Sequence, residues 1–367
     1  MSKTILFSPG PVMTEDSVRN ALLHYDICHR SHEFETMFVE TQGLINQLYK
    51  ADDSYYSVIV SGSGTSANEC VLSSALKDNE KVLLIKNGVF GERLQQIVNK
   101  HKIPFEKVEY PWGTYPDLDE IEKAIAAHDD VRLVAMVCNE SSTGMLNPVK
   151  SVGALCKKYG KRFFIDTVSA AGGEYIDIKD FNVDIATSVG GKCLGAYPGS
   201  AYVIAKKDFL DSLSEEQCKT VYLNLYNHYH MAMEMHQTPN TPNVTLFWAL
   251  NQALKNVMDI GVDNYIAYHA GLAQTIRTGI KEMNMEFLLP EEYMSNTITS
   301  IMLPRGIGLS EFIDKMEQFG YTNYKGKGKY EAMNMFQVGN MGAITQEDCR
   351  NYLSTLKTVL AGFGYEC

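Results

Sequence analysis

The sequence is short of positive charge: 33 Lys and Arg stand against 44 Asp and Glu, for a formal net charge of −11. A phosphodiester backbone demands a concentrated basic face, so nucleic acid is not an expected partner. Long apolar runs are also missing. No stretch of about 18 apolar residues is available to span a bilayer as a helix, and no membrane association is expected. The eight cysteines, at positions 28, 70, 138, 156, 193, 218, 349 and 367, include no C-x-x-C pair. They are too sparse for a disulfide scaffold and read as reduced thiols. His228, His230 and His236 lie close together in "NHYHMAMEMH", without a cysteine or carboxylate cluster at metal-site spacing. They are expected to be surface or interface histidines, and no metal is assigned. The opening "MSKTILFSPGP" lacks the apolar core and small-residue cleavage site of a secretion signal, so a cytoplasmic location is expected.

What is present is the composition of a globular chain, 45% hydrophobic and 21% charged, over 367 residues. That length exceeds one minimal core, and a large domain with a smaller companion is expected. Between about residues 55 and 205, seven short β-branched or aliphatic runs read as strands: "YYSVIV", "KVLLI", "FEKVEY", "RLVAMVC", "RFFID", "DIATSV" and "AYVIA". They alternate with "SANECVLSSAL", "FGERLQQIVNKH", "LDEIEKAIAAH" and "SVGALCKKYG", whose apolar residues recur three and four apart as in amphipathic helices. Strand and helix in turn predict an α/β fold, a mostly parallel central sheet flanked by helices. Ligands of such sheets sit beyond the carboxyl ends of the strands. After about residue 255 the pattern changes to longer helices with separate strands ("TSIMLP", "NMFQVG"), as in a smaller α+β domain. The expected division is residues 1–15 as an N-terminal segment packing with the small domain, 16–255 as the large domain and 256–367 as the small one. The first fifteen residues are too rich in Pro and Gly to predict a regular element.

Three strand ends carry polar residues. "VIVSGSGTSANE" runs a strand into Ser61, Gly62, Ser63, Gly64 and Thr65 and then a helix, an arrangement whose bare backbone N–H groups and helix N-terminus suit a phosphate. It is neither a G-x-G-x-x-G fingerprint nor a P-loop, and a plain strand-to-helix turn would read the same way. "RFFIDTVSAAGG" places Asp166 at the end of an apolar strand, where a carboxylate either faces a cation or caps the next segment. "TSVGGKCLGAYPG" sets Lys192 among four glycines. A lysine in such a turn is usually solvated; one held near an electron-poor ring condenses with an aldehyde, while a carboxylate keeps a pyridine nitrogen protonated. Asp166 and Lys192 together therefore point to pyridoxal phosphate chemistry.

The ordered motifs "SGSGTSANE", "NGVFGER", "NESSTGMLNPV", "FFIDTVSAAGG", "GGKCLGAYPGSAYVIA" and "VGNMG" resemble those of the class V aminotransferases of fold type I, from "FSPGPV" almost to the end of the chain. The resemblance implies pyridoxal 5'-phosphate as cofactor, with Lys192 joined to it covalently and later carrying the proton, and Asp166 on the ring nitrogen. It implies Phe90 stacked on the ring, Ser141 near the phenolic oxygen, and Ser63, Gly64 and Thr65 at the phosphate. Thr238 and Thr241 match a segment that reaches the phosphate of the neighbouring subunit, which implies a homodimer with its active site at the subunit interface. Small amines and keto acids are the implied substrates, 2-aminoethylphosphonate and pyruvate first among them.

Two departures stand out. The family's F-R-I-G-N stretch, whose arginine grips the substrate carboxylate, reads Phe336, Gln337, Val338, Gly339, Asn340 here. A glutamine cannot make that charge-assisted fork. Either another cation takes its place, with Arg30, Lys325, Lys327 and Lys329 as candidates, or the substrate has no carboxylate beside the reacting carbon. Gly191 stands where relatives have Asn or Gln on the phosphate, so one phosphate contact is expected to be missing. A transaminase for another amine, a lyase or desulfurase, and a non-catalytic cofactor-binding protein are the alternatives.

Overall fold

In the computed structural model, which describes residues 4–366, all seven predicted strand segments join one sheet. Its order is Tyr55–Gly62, Gly199–Lys206, Ile185–Val189, Arg162–Asp166, Val131–Val137, Lys81–Lys86, Phe105–Glu109. The last five of these strands run parallel to one another. Gly199–Lys206 is antiparallel to both its neighbours. The sequence pattern alone implies a parallel crossover there, and the link explains the difference: Val189 reaches Gly199 through turns with no helix, too short to carry the chain back to the starting end of the sheet.

Both faces of the sheet are covered, which is why its central strands are continuous apolar runs; every residue of Ile185–Val189 is buried. The flanking helices Val89–Lys100, Leu118–Ala127 and Val149–Lys158 each bury one stripe, for example Leu94, Ile97 and Val98 on the first. Asp117 caps its helix by accepting from the N–H groups of Asp119 and Glu120.

A second core gathers around a four-stranded antiparallel sheet in the order Glu286–Phe287, Ile298–Met302, Met335–Gly339, Tyr324–Lys325. Helices Val262–Glu282, Leu309–Gln318 and Gln346–Gly362 supply Ile276, Phe312 and Tyr352 to it. The N-terminal segment corrects the expectation of no regular element: Ile5–Leu6 forms a short strand parallel to Tyr321–Thr322, and Phe7 is buried in the second core. Backbone pairing overrides local composition here, and Gly339 N donates to Phe7 O at 3.0 Å. A Cβ on Gly339 would stand 2.5 Å from the Ser8 carbonyl carbon, so this crossing requires glycine.

Among the described residues no helix is long and apolar enough to cross a membrane, and no group of three His, Cys, Asp or Glu side chains could hold a metal. All seven described cysteines are unbridged; Cys367 lies outside the described residues. His230 is partly exposed and His236 exposed, but His228 is buried, not superficial: it lies on the inner face of helix Leu225–Met235, its Nε2 3.1 Å from Tyr222 O.

Glu174 links the two cores. It is buried, accepts from Asn296 N at 2.6 Å, and has Arg277 as the nearby cation. Burial is the dominant influence and pushes its carboxyl up to about 8 from an ordinary 4.5. Between those values the folded chain keeps a proton that the unfolded chain has released, so stability falls as pH rises and levels off above about 8. Urea unfolding midpoints measured from pH 4.5 to 9 will show this decline, and Glu174→Gln will flatten it; an equal slope in the variant contradicts the assignment.

Candidate active site

The site lies beyond the carboxyl ends of the parallel strands, as an open α/β sheet predicts. Asp166 is the last residue of Arg162–Asp166, in register with Val137 on one side and Thr187 on the other. Its side chain is 3% exposed. One oxygen accepts from Val168 N at 2.8 Å, a local turn contact, and the other accepts from Asn68 Nδ2 at 2.6 Å. Asn68 is fixed in turn by Thr187 Oγ1, which donates to its Oδ1 at 2.5 Å. Burial raises the carboxyl above its ordinary value, opposed by those two hydrogen bonds and by the charge of Lys192. No cation lies within ion-pair distance among the described residues, so the carboxylate faces the cavity without a protein counter-ion.

Lys192 follows Ile185–Val189 in the turn before Gly199–Lys206 and is partly buried. Its Nζ donates to Pro9 O at 2.5 Å, so the N-terminal segment reaches the site after crossing the second core. Burial lowers its pKa; the charge of Lys327 lowers it further, while Cys193 and Asp166 oppose. The glycines have specific reasons: a Cβ on Gly10 would stand 2.3 Å from Lys192 Nζ, and one on Gly191 2.6 Å from Pro198 N.

Ser63 joins Tyr55–Gly62 to helix Gly64–Leu72 as its N-cap, and Gly64 and Thr65 are the first residues of that helix. The N-cap Ser63 makes no side-chain cap, leaving first-turn N–H groups without a side-chain acceptor. Gly64 packs against Val168, where a Cβ would come within 2.3 Å. Phe90 is held by a carboxylate that the sequence reading overlooks. Glu140, fully buried, accepts from Phe90 N and Gly91 N at 3.1 Å each and so caps helix Val89–Lys100. Ser142 Oγ donates to the same carboxylate and accepts from Val89 N. Asn68 and Glu140 both lie inside quoted motifs, "SANE" and "NESS", but neither residue type nor strand position marks them there.

Ser63, Gly64, Thr65, Phe90, Asp166 and Lys192 line one cavity of about 320 Å³ together with Gly10, Asn68 and Val168. A larger, more open hollow of about 580 Å³ is lined by Glu109, Tyr110, Pro111, Trp112 and Lys329 and contains none of the candidate catalytic residues. The other predicted residues lie outside the smaller cavity's lining. Ser141 is buried, and its carbonyl accepts from Gln337 Nε2 at 2.8 Å. Gln337 is 1% exposed and also donates to Ser300 Oγ at 3.0 Å, so its amide ties the second sheet to the turn after Asn139–Glu140. Arg30 donates to Gln237 Oε1 at 2.7 Å and Thr238 O at 2.9 Å. Thr238 is buried and donates to Asn240 O, and Thr241 is exposed.

Residues 12–311 match the Aminotransferase class-V family. The chain belongs to that family. It is 31% identical over 99% of its length to an uncharacterized aminotransferase of Methanocaldococcus jannaschii, 94% of which is covered. It is 30% identical to a 2-aminoethylphosphonate–pyruvate transaminase of Salmonella paratyphi B, with 97% of each chain covered. Among solved structures, the ureidoglycine–glyoxylate aminotransferase of Bacillus subtilis superposes with a TM-score of 0.94 at 23% identity, covering 99% of this chain and 94% of the other. The fold is that of the fold type I enzymes, and the cofactor of this aminotransferase is pyridoxal phosphate. The cavity fits that group: it holds a buried carboxylate without a counter-ion, a lysine of lowered pKa, uncapped helix N–H groups, and glycines at 10 and 64 whose Cβ would collide with the lining residues Lys192 and Val168.

Proposed function

We propose that this aminotransferase moves the amino group of 2-aminoethylphosphonate to a keto acid such as pyruvate. The observation that carries the reading is the convergence of Lys192, Asp166, Phe90 and the Ser63–Thr65 turn on one cavity. When bound, pyridoxal phosphate supplies an aldehyde that captures an amine and a protonated ring that withdraws electrons from it. Asp166, screened from water and oriented by Asn68, would hold the ring nitrogen in its charged form. Lys192, with its ammonium disfavoured by burial, would capture the aldehyde and, once displaced, hold and move the proton at the substrate carbon. Phe90, anchored through Glu140, would cover the ring and exclude water. Ser63, Gly64 and Thr65 would take the phosphate, and Ser141, in the turn after Asn139–Glu140, would lie beside the phenolic oxygen.

Gln337 bears on both substrates: it suits a donor with no carboxylate on its reacting carbon, and it leaves the carboxylate of pyruvate to another cation. Its amide donors are engaged by Ser141 and Ser300, and it carries no charge for an α-carboxylate. 2-Aminoethylphosphonate has no carboxylate on its reacting carbon, and relatives at about 30% identity bear that activity in their names. A desulfurase would need a reactive thiol; Cys349 is buried in the second core, and burial pushes its thiol up to about 12. The unbridged cysteines suit the reducing cytoplasm.

The homodimer belongs to the same proposal. Arg30 donates to the Thr238 carbonyl, and neither Arg30, Thr238 nor Thr241 lines the chain's own cavity; the segment that holds them would complete a neighbour's site. The segment leading to Arg30 also exposes Leu23 at 81% and Tyr25 at 67%. Sedimentation equilibrium of the holoenzyme will give twice the chain mass; a monomer with bound cofactor and full turnover contradicts the shared site.

The functional reading is tested by the half-reaction. Adding 2-aminoethylphosphonate to the holoenzyme will shift its visible absorbance and pyruvate will restore it, and Lys192→Ala will lose turnover by about a thousandfold or more. A shift with alanine but none with the phosphonate overturns the donor. Near-normal turnover in Lys192→Ala overturns the mechanism.

A further inference from the structure

The reading of an aminophosphonate donor leaves a dianion to be recognised, and the usual arginine is a buried glutamine. Of the three lysines in "YKGKGKYE", two are occupied elsewhere. Lys325 donates to Ser310 Oγ at 2.9 Å, and Lys329 is exposed, 5.0 Å from the Tyr330 ring centroid. Lys327 is different: it is partly buried, and its Nζ stands 4.8 Å from the centroid of Phe90, a wall of the Lys192 cavity. Arg93 is also partly buried. It approaches the same cavity from helix Val89–Lys100, donating to Thr65 Oγ1 at 3.1 Å. Among the described residues neither cation has a carboxylate within ion-pair distance, although the chain has eleven more acidic than basic charges. The nearest acid in kind is Glu140, whose oxygens are already taken by Phe90 N, Gly91 N and Ser142.

We propose that Arg93 and Lys327 form a two-cation subsite that holds the dianionic phosphonate of the amine substrate, in place of the missing carboxylate arginine. The proposal rests on the aminophosphonate reading above. Partly buried cations without counter-ions are costly, and a dianion offsets both charges at once; the guanidinium adds a planar fork that matches two phosphonate oxygens. The pattern agrees with the ionisation of Lys327, lowered first by burial and then by the charge of Arg93, with Glu140 opposing. A bound dianion reverses that trend. The same chemistry would serve the phosphate of the cofactor, because Thr65 lies at the turn assigned to it, so the test separates the two sources.

The test uses the holoenzyme and ethylphosphonate at a pH above its second ionisation, where it carries the dianion but no amine and cannot react. Calorimetric titration will show binding to the wild-type protein, weaker binding of the monoanion ethanesulfonate, and a loss of about tenfold or more in affinity for ethylphosphonate in Lys327→Met and in Arg93→Gln. Lys327→Arg will retain binding, and Lys329→Met will match the wild type. Melting temperatures of all variants verify that folding is preserved. Unchanged affinity in both Lys327→Met and Arg93→Gln, or no binding of ethylphosphonate to the wild type, overturns the subsite. So does a result in which the variants shed cofactor while the loaded fraction binds ethylphosphonate normally, which assigns the cations to the cofactor phosphate. If ethylphosphonate binds and the variants lose it, but 2-aminoethylphosphonate gives no half-reaction, the subsite stands and the donor assignment fails.

Discussion

The structure turns on a buried carboxylate. Asp166 sits at the end of a strand covered on both faces, in a place where an anion without a partner is costly. The protein does not neutralise it with a cation. It supplies two neutral donors, Val168 N and the Asn68 amide, and anchors Asn68 through Thr187 on the adjacent strand. The result is a carboxylate that is oriented but not discharged, directed at a cavity that also receives the Lys192 amine. Much of the surrounding architecture serves that juxtaposition: parallel strands bring their carboxyl ends to one edge, and the glycines at 10, 64 and 191 remove the side chains that would fill the space.

The second core takes part in the site through three links. The N-terminal segment pairs with Tyr321–Thr322, passes over Gly339 with no room for a side chain, and delivers Pro9 O to Lys192. From the same sheet Gln337 reaches the Ser141 carbonyl, and the hairpin after Tyr324–Lys325 brings Lys327 over Phe90. Changes in how the two cores pack therefore bear on the amine, the Ser141 turn and the aromatic wall together. Burial acts in opposite directions on the two central groups, raising the Asp166 carboxyl and lowering the Lys192 ammonium.

The central strands were legible because strands covered on both faces leave uninterrupted apolar runs, and "RFFID" coincides with Arg162–Asp166 to the residue; Phe105–Glu109, at the sheet edge, mixes apolar and charged residues instead. The direction of Gly199–Lys206 was not, because its sequence looks like any buried strand and only the helix-free link reveals it. Lys192 and Asp166 could be found from residue type and strand position. Asn68, Glu140 and Pro9 could not: an amide, a helix-capping acid and a carbonyl acquire their meaning from contacts over 98, 50 and 183 positions of separation. The lysine cluster shows the same limit. Lys325, Lys327 and Lys329 are equivalent in sequence, and only the fold distinguishes the one beside Phe90.

The proposed chemistry requires that the amine at position 192 be the one joined to the cofactor opposite Asp166. Reduction of the holoenzyme with borohydride, digestion and mass mapping test it most directly. The account predicts a single pyridoxyl adduct on the peptide that carries Lys192. An adduct on any other lysine, or none in fully loaded protein, contradicts it.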